Sequence, residues 1–372
     1  MNKKLSVLII GCGRVSAKHI KAINKHKDKL YLVGLVDTNE SFAKKTLNDY
    51  TDKEYSSKVS IYSDYQKAVL EKKPDIVAIT VPSGLHYQIA EFCLNNNCNL
   101  LLEKPMAMSS SECKKLYELS EKMHCKIAMG HIYRYFPLVG LLKDDLKNGK
   151  FGKILYGTIS VRWGHSQDYY NSSAWRGTWK SDGGALMNQS IHAIDLLIWL
   201  MSDESVSVQA MLAKRLLEIE AEDLGLAVIK LKSGALASIE GTTATLEDDK
   251  QASFNIYCEK GHVALGLNKG KPWLDITNEN GKKVNGHYIL EQVKKYGVSS
   301  ILSATNPHTA IYGNLANSIY NNESPIADGI SGYTSVDTLL GIYKSARDGK
   351  RVNLPLEEDF NSMDMQGFIF DD

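Results

Sequence analysis

The chain is poor in cysteine and proline, carries almost no net charge, and has no long apolar run. Six cysteines are scattered at positions 12, 93, 98, 113, 125 and 258 of 372 residues. None forms a C-x-x-C pair, and with ten histidines no zinc spacing emerges, so no metal site is expected. The scatter excludes a disulfide scaffold and reads as free buried thiols in a reducing cytoplasm. With 8 prolines, 28 glycines, 43% hydrophobic and 23% charged residues, the composition excludes collagen and disorder. Lys plus Arg number 44 against 43 for Asp plus Glu, a net charge of +1. Nucleic-acid binders carry a basic excess or stripe, so none is expected as a partner. No stretch approaches the roughly 18 apolar residues of a membrane span. The most apolar one, 191–201, is interrupted by His192 and Asp195. Lys3 and Lys4 before Leu5–Ile10, followed by Gly11-Cys12, imitate a lipoprotein signal. That apolar run is shorter than the roughly 7–15 residues of a signal core, and cleavage there would destroy the motif described below. The reading is a cytoplasmic protein without a membrane partner.

What is present favours two domains, since domains average roughly 150 residues. A chain of this length buries a core without disulfides or a structural metal. Short apolar runs at 5–11, 31–36, 75–81, 99–102 and 127–130 alternate with helical patterns at 41–50, 65–72, 85–95 and 109–123. Strands separated by helices imply a parallel, doubly wound sheet. The acidic stretch 357–372 suggests edge packing or disorder.

Gly11-Cys12-Gly13-Arg14-Val15-Ser16 directly follows the first strand and opens the first helix. Gly11 permits the tight turn, and Gly13 lets a pyrophosphate approach the free N–H groups of the helix. Ser16 stands where glycine or alanine is usual. Asp37 ends the second strand, 24 positions past Gly13. A carboxylate there accepts hydrogen bonds from the ribose hydroxyls of NAD and repels the 2′-phosphate of NADP. The bland reading of Asp37 is a surface residue at the start of the next helix. The expected cofactor is NAD rather than NADP.

Three further clusters carry chemistry. Glu103-Lys104-Pro105 follows a strand, where ligands of open α/β sheets bind, so Lys104 is placed to polarise a substrate oxygen. Thr80, Pro82 and His86 end the strand before it; His86 also suits a packing role. Asn188, His192 and Asp195 fall at i, i+4 and i+7 behind Gly183-Gly184, on an otherwise apolar helix. An imidazole, with an ordinary pKa of about 6.5, can take a proton from an alcohol; a buried structural histidine is the alternative. Arg162, Tyr169, Trp175 and Arg176 lie in a stretch that holds three of the five tryptophans. Aromatic faces stack on sugars and bases, and arginine forks grip carboxylates or phosphates. The same residue types favour an oligomer interface.

Together these residues resemble the Gfo/Idh/MocA family of NAD(P)-dependent sugar and polyol oxidoreductases. The resemblance adds His131 with Tyr133-Arg134-Tyr135, His308, Pro325–Gly329 and Ile342–Gly349, and spans nearly the whole chain. It implies a Rossmann domain over 1–128, then an α/β domain with a large open mixed sheet over 129–372. Cofactor residues would be Gly11, Gly13, Arg14, Val15, Asp37, Thr80, Pro82, His86, Glu103 and Lys104. Lys104 and His192 would be catalytic, with Asn188, Arg162, Tyr169, Trp175, Arg176 and Asp195 on the substrate. Family members often have Asp where Asn188 stands, so proton transfer falls to His192 and Lys104. The run 175–192 resembles a narrower group that includes UDP-N-acetylglucosaminuronate 3-dehydrogenases of bacterial surface-glycan synthesis. The implied reaction is dehydrogenation of a sugar CH–OH group, with C3 of a nucleotide-linked sugar acid as the named substrate. A dehydrogenase or ketoreductase of a free sugar, inositol or deoxysugar is the alternative. A catalytically silent NAD-binding regulator is a third, against which the presence of Lys104 and His192 argues. The open sheet implies a homodimer or homotetramer.

Overall fold

The computed structural model describes residues 3–302 and 306–370. The apolar runs of the N-terminal half become β1 (Leu5–Ile10), β2 (Leu30–Val36), β3 (Ser60–Tyr62), β4 (Ile76–Ile79), β5 (Asn99–Leu102) and β6 (Ile127–Met129). They form one parallel sheet in the order β3-β2-β1-β4-β5-β6. β1 and β4 are buried at every position, as parallel strands sheltered on both faces require. Between them run α1 (Ser16–Lys25), α2 (Glu40–Asn48), α3 (Tyr65–Lys72), α4 (His86–Asn95) and α5 (Ser110–Lys122). The order of strands reverses at β1 and β4, which makes their carboxyl ends the switch point where ligands bind such sheets. The sequence pattern missed β3, three half-buried residues at the sheet edge.

The second sheet is built differently. After α6 (Pro137–Lys147) come β7 (Ile154–Trp163), α7 (Gln167–Asn171) and α8 (Ile191–Met201). Then follow β8 (Ser205–Ala213), β9 (Leu224–Leu231), β10 (Leu236–Thr242), β11 (Lys250–Cys258), β12 (Gly261–Asn268) and β13 (Lys271–Thr277). The chain closes through α9 (Asn285–Tyr296), α10 (Ser299–Leu302), α11 (Pro307–Asn321), α12 (Gly329–Asp348) and β14 (Val352–Asn353). The order is β13-β12-β11-β7-β10-β9-β8-β14, mixed because β7 and β10 alone run parallel. Strand period two separates the faces: Ala227, Ile229 and Leu231 of β9 are buried, while Leu226, Val228 and Lys230 are exposed. α8 covers the inner face, so closely that a Cβ on Gly157 of β7 would lie 2.9 Å from the Leu197 side chain. On the other face Tyr156, Met211, Leu226, Val228, Leu236 and Trp273 are exposed.

The chain divides into two compact units. The first takes in Met1–Ala107, Glu112–Tyr135 and Ala304–Tyr333; the second takes in Met108–Ser111, Phe136–Ser303 and Thr334–Asp372. The linear pattern suggests one cut between 128 and 129, but α11 returns to the first unit and packs on α1. His26 Nε2 meets the Thr309 carbonyl at 2.8 Å, and Tyr135 donates to Asn314 Oδ1 at 3.2 Å. Arg134, buried, donates to the Ile326 carbonyl and to Ser331 Oγ. The acidic end is packed within the second unit: Phe360 and Met365 are buried, and Ser362 Oγ donates to the Trp179 carbonyl. Asp371 and Asp372 lie outside the described residues. Among the described residues no helix is long and apolar enough to cross a membrane.

Candidate active site

In the first unit the glycine turn is a fitted part. Gly11 has φ +97°, and a Cβ there would stand 2.8 Å from the Thr80 backbone carbonyl. Thr80 braces this turn, its backbone N–H and hydroxyl both donating to the Ile10 carbonyl and its hydroxyl also reaching the Gly11 carbonyl. Gly13 is exposed, and nothing lies within 4 Å of the position its Cβ would take. Arg14 is exposed beside it, and Val15 begins α1 without a side-chain cap. Uncapped N–H groups and the helix dipole then face an open approach, as an anion requires. The unusual Ser16 is buried and donates to the Gly13 carbonyl at 2.7 Å, so it closes the turn that alanine would only fill.

Asp37 is oriented before any ligand arrives. Its Oδ2 accepts from Cys12 N–H at 2.7 Å and its Oδ1 from Asn39 N–H at 2.8 Å. Asn39, not Asp37, caps α2. Burial and the Asp37 charge push the Cys12 thiol up to about 12, which makes it inert. The uncovered turn and the preset carboxylate fit the pyrophosphate and ribose of a dinucleotide.

The loops after β4 and β5 are tied together. His86 is buried, with Nδ1 2.7 Å from the Pro105 carbonyl and Nε2 3.0 Å from the Val81 carbonyl. Burial lowers its pKa, and the neutral ring donates to one carbonyl at a time. His86 thus holds Pro82 and Pro105 loops in register, which is the packing role. Lys104 is half-buried between them. Glu103 turns inward: its Oε1 accepts from His19 Nε2 at 3.2 Å and His308 Nε2 at 2.9 Å. Burial would raise the Glu103 pKa, but the two imidazoles outweigh it and hold the carboxyl well below its ordinary value of 4.5. Burial lowers His19. His19 escaped the sequence reading because nothing in the linear pattern links positions 19, 103 and 308. These three are the one group among the described residues with metal-ligand proximity. Their Nε2–Oε1 spacings are those of hydrogen bonds, and Glu103 serves as an anchor for the Lys104 segment.

In the second unit a π-turn, Leu186–Ser190, precedes α8 and carries Asn188. Regular helical spacing therefore does not describe this segment, and π-turns recur at functional sites. Asn188 and His192 are half-buried, whereas Asp195 is 2% exposed and sits in the core. Asn188 Nδ2 donates to Asp182, and its Oδ1 accepts from Gln189 at 2.8 Å. Gln189 also donates to His165 Nε2 at 3.1 Å. His165 stacks on Tyr169, ring centroids 3.8 Å apart. Arg176 lies over Tyr169 at 4.2 Å and Trp175 at 4.5 Å, and donates to the Tyr169 hydroxyl at 2.6 Å. Tyr169, Trp175, Arg176 and Asn188 thus join one network, with Asp182, His165 and Gln189 as members the sequence did not single out. Arg162 does not join it. It projects from β7 on the open face of the sheet and forms a two-pronged ion pair with Glu240, at 2.6 and 3.0 Å.

A parallel sheet with an uncovered glycine turn and a preset acid at the end of β2 is the framework of a dinucleotide-binding protein. Residues 5–131 match the GFO/IDH/MocA oxidoreductase family with its NAD-binding Rossmann fold, and residues 140–264 match the GFO/IDH/MocA C-terminal domain. The chain belongs to the Gfo/Idh/MocA family. It is similar to the WlbA dehydrogenase of Bordetella pertussis, solved in complex with NADH and UDP-GlcNAcA. That likeness has a TM-score of 0.84 and 30% identity over 96% of this chain and 99% of the other. The WlbA enzyme of Chromobacterium violaceum, with the same ligands, gives 0.80 and 30% over 96% and 98%. By sequence the chain is 24% identical to D-glucoside 3-dehydrogenase of Escherichia coli K12, over 94% of this chain and 97% of that one. The chain is therefore an NAD-dependent dehydrogenase of the sugar-oxidising class, acting on CH–OH groups.

Proposed function

We propose that the chain oxidises C3 of a nucleotide-linked, N-acetylated sugar acid, as a step in surface-glycan biosynthesis. The observation that carries this reading is its likeness, over almost the full length, to two dehydrogenases complexed with NADH and UDP-GlcNAcA. The second-unit cluster supports it: Tyr169 and Trp175 offer aromatic faces, and Arg176 a fork for pyrophosphate or carboxylate. Gly11, Gly13, Arg14 and Val15 receive the cofactor pyrophosphate, Asp37 the ribose, and the loops at Thr80, Pro82 and His86 support the nicotinamide end. When bound there, NAD would supply the acceptor for the hydride of the carbinol carbon. Lys104 and His192 share removal of the hydroxyl proton and stabilisation of the developing alkoxide. Asn188 orients the substrate, since an amide neither takes nor gives a proton in this range. Six buried cysteines, none in a disulfide among the described residues, support a reducing, cytoplasmic setting.

A free-sugar substrate is the second reading, supported by the likeness to D-glucoside 3-dehydrogenase. UDP-GlcNAcA, other UDP-sugars and free polyols, each offered with NAD while NADH absorbance is followed, separate the two. Lys104→Ala is expected to abolish turnover while NAD still binds; retained turnover overturns the assignment of Lys104. The exposed apolar residues on the second sheet support a homo-oligomer formed through that face. Light scattering of Val228→Glu, expected to give smaller particles than the parent, tests it.

A further inference from the structure

The segment that carries Asn188 and leads into His192 is seated on an unusual group. Glu222, in the loop before β9, is completely buried. Its Oε1 accepts from Leu186 N–H at 2.9 Å and from the Tyr343 hydroxyl at 2.9 Å. Its backbone carbonyl accepts from Ala185 N–H at 2.9 Å. Both ends of one residue thus receive the first N–H groups of the π-turn. Its Oε2 is buried with no hydrogen-bond partner. That oxygen lies against Gly184, where a Cβ would fall 2.1 Å from it and 2.1 Å from the Glu222 carbonyl oxygen. The turn is pressed equally hard onto the sheet. A Cβ on Gly225 would lie 2.5 Å from Leu186, and one on Gly241 2.4 Å from Ser190 Oγ. Three glycines and one carboxyl group therefore fix where the turn sits.

We propose that Glu222 is a positioning residue for Asn188 and His192, acting through the π-turn it holds. The proposal rests on the reading that these two residues serve the sugar. An unpartnered buried oxygen is costly as a charge and tolerable as a carboxylic acid. Burial raises the Glu222 pKa to about 8, the hydrogen bond from Leu186 working in the opposite direction. The titratable groups that face it are Asp223 from its own segment, Tyr343 from α12 and Tyr170 from α7. Asp223 has its own donors, accepting from the N–H groups of Arg215, Leu216 and Leu217. Ionisation of Glu222 thus places a second negative charge beside Asp223 with no donor for Oε2, and strains the seat of the turn. The acid form is the one that aims the turn correctly.

The test compares Glu222→Gln and Glu222→Ala in the full chain. Gln keeps an oxygen for Leu186 and cannot ionise. We expect Glu222→Gln to match wild-type kcat at pH 7 and to lack the loss of kcat that the wild type undergoes above about pH 8. Glu222→Ala is expected to lose about 10–100-fold in kcat, the cost of misplacing a reacting group, with KM for NAD unchanged. A merely structural role predicts lower Tm for Glu222→Ala with unchanged kcat, and that result overturns the proposal. The same alkaline loss in wild type and Glu222→Gln also overturns it. The His192 ring resonances, assigned with His192→Gln, supply a readout without substrate. They should shift in Glu222→Ala and stay in place in Glu222→Gln; no shift in either overturns the positioning role. If the wild type binds NAD but oxidises no UDP-sugar, the substrate reading fails, and the resonances still decide the role of Glu222.

Discussion

Asp37 permits the most quantitative prediction. Its two oxygens already accept backbone N–H groups, from Cys12 at 2.7 Å and Asn39 at 2.8 Å. A carboxylate has about four acceptor positions, so one on each oxygen remains for the two ribose hydroxyls. Hydrogen bonds to a charged acceptor contribute about 1.5–3 kcal/mol each. Two of them place the binding loss on Asp37→Ala at about 3–6 kcal/mol, or roughly 10²–10⁴-fold in affinity for NAD. The effect on NADP has the opposite sign. A carboxylate about 4 Å from a phosphate charge repels it by about 1–4 kcal/mol per unit charge, depending on local dielectric. Removing Asp37 therefore weakens NAD and strengthens NADP together. KM for both cofactors at fixed ionic strength is the assay, with Tm checked because Cys12 N–H loses its partner. An Asp37→Ala enzyme that retains the NAD KM and still rejects NADP would refute the reasoning.

Other expectations concern the anchors. Glu103 has a folded pKa below its ordinary 4.5, so its contribution to stability is complete above that value and is lost as pH falls through the folded pKa. Glu103→Gln should lower Tm at pH 7 and flatten its fall between pH 5 and 3; an unchanged acid limb would refute the role given to His19 and His308. Gly184→Ala drives a methyl group to 2.1 Å from the backbone oxygen of Glu222. Overpacking of this kind costs typically about 1–3 kcal/mol, read as a reduced Tm and reduced kcat. Arg176→Ala should raise KM for a nucleotide-linked sugar by about tenfold or more, the loss of a charged hydrogen bond, and leave KM for NAD unchanged. Equal effects on both would place Arg176 in folding and not in substrate recognition.

Much of this was legible in the chain itself because it depends on local geometry. Strands β1, β2, β4 and β5 are short, apolar and bounded by turn residues, and the Gly11–Ser16 turn must follow a strand to work. Asp37 was legible by its place at the end of the second strand, whereas the Cys12 N–H that presets it comes from 25 residues away when that strand pairs with β1. The edge strand β3 was hidden because three half-buried residues carry no periodic signal. The π-turn was hidden because the spacing of 188, 192 and 195 also suits a regular helix. Arg162 looked like a substrate residue because residue type does not reveal which face of a strand it occupies; the pleat turns it to Glu240.

Sequence alone therefore determined the Rossmann half, the family and the choice of NAD, all written in short motifs whose residue types and order along the chain are readable before folding. Tertiary structure alone decided which groups hold those motifs in place. The pairing of Glu103 with His19 and His308 joins positions 84 and 205 residues apart. Glu222 reaches Leu186 across 36 residues and Tyr343 across 121. A buried carboxyl group takes its protonation and its role from the neighbours that exclude water from it, and those neighbours are assembled only when the chain folds.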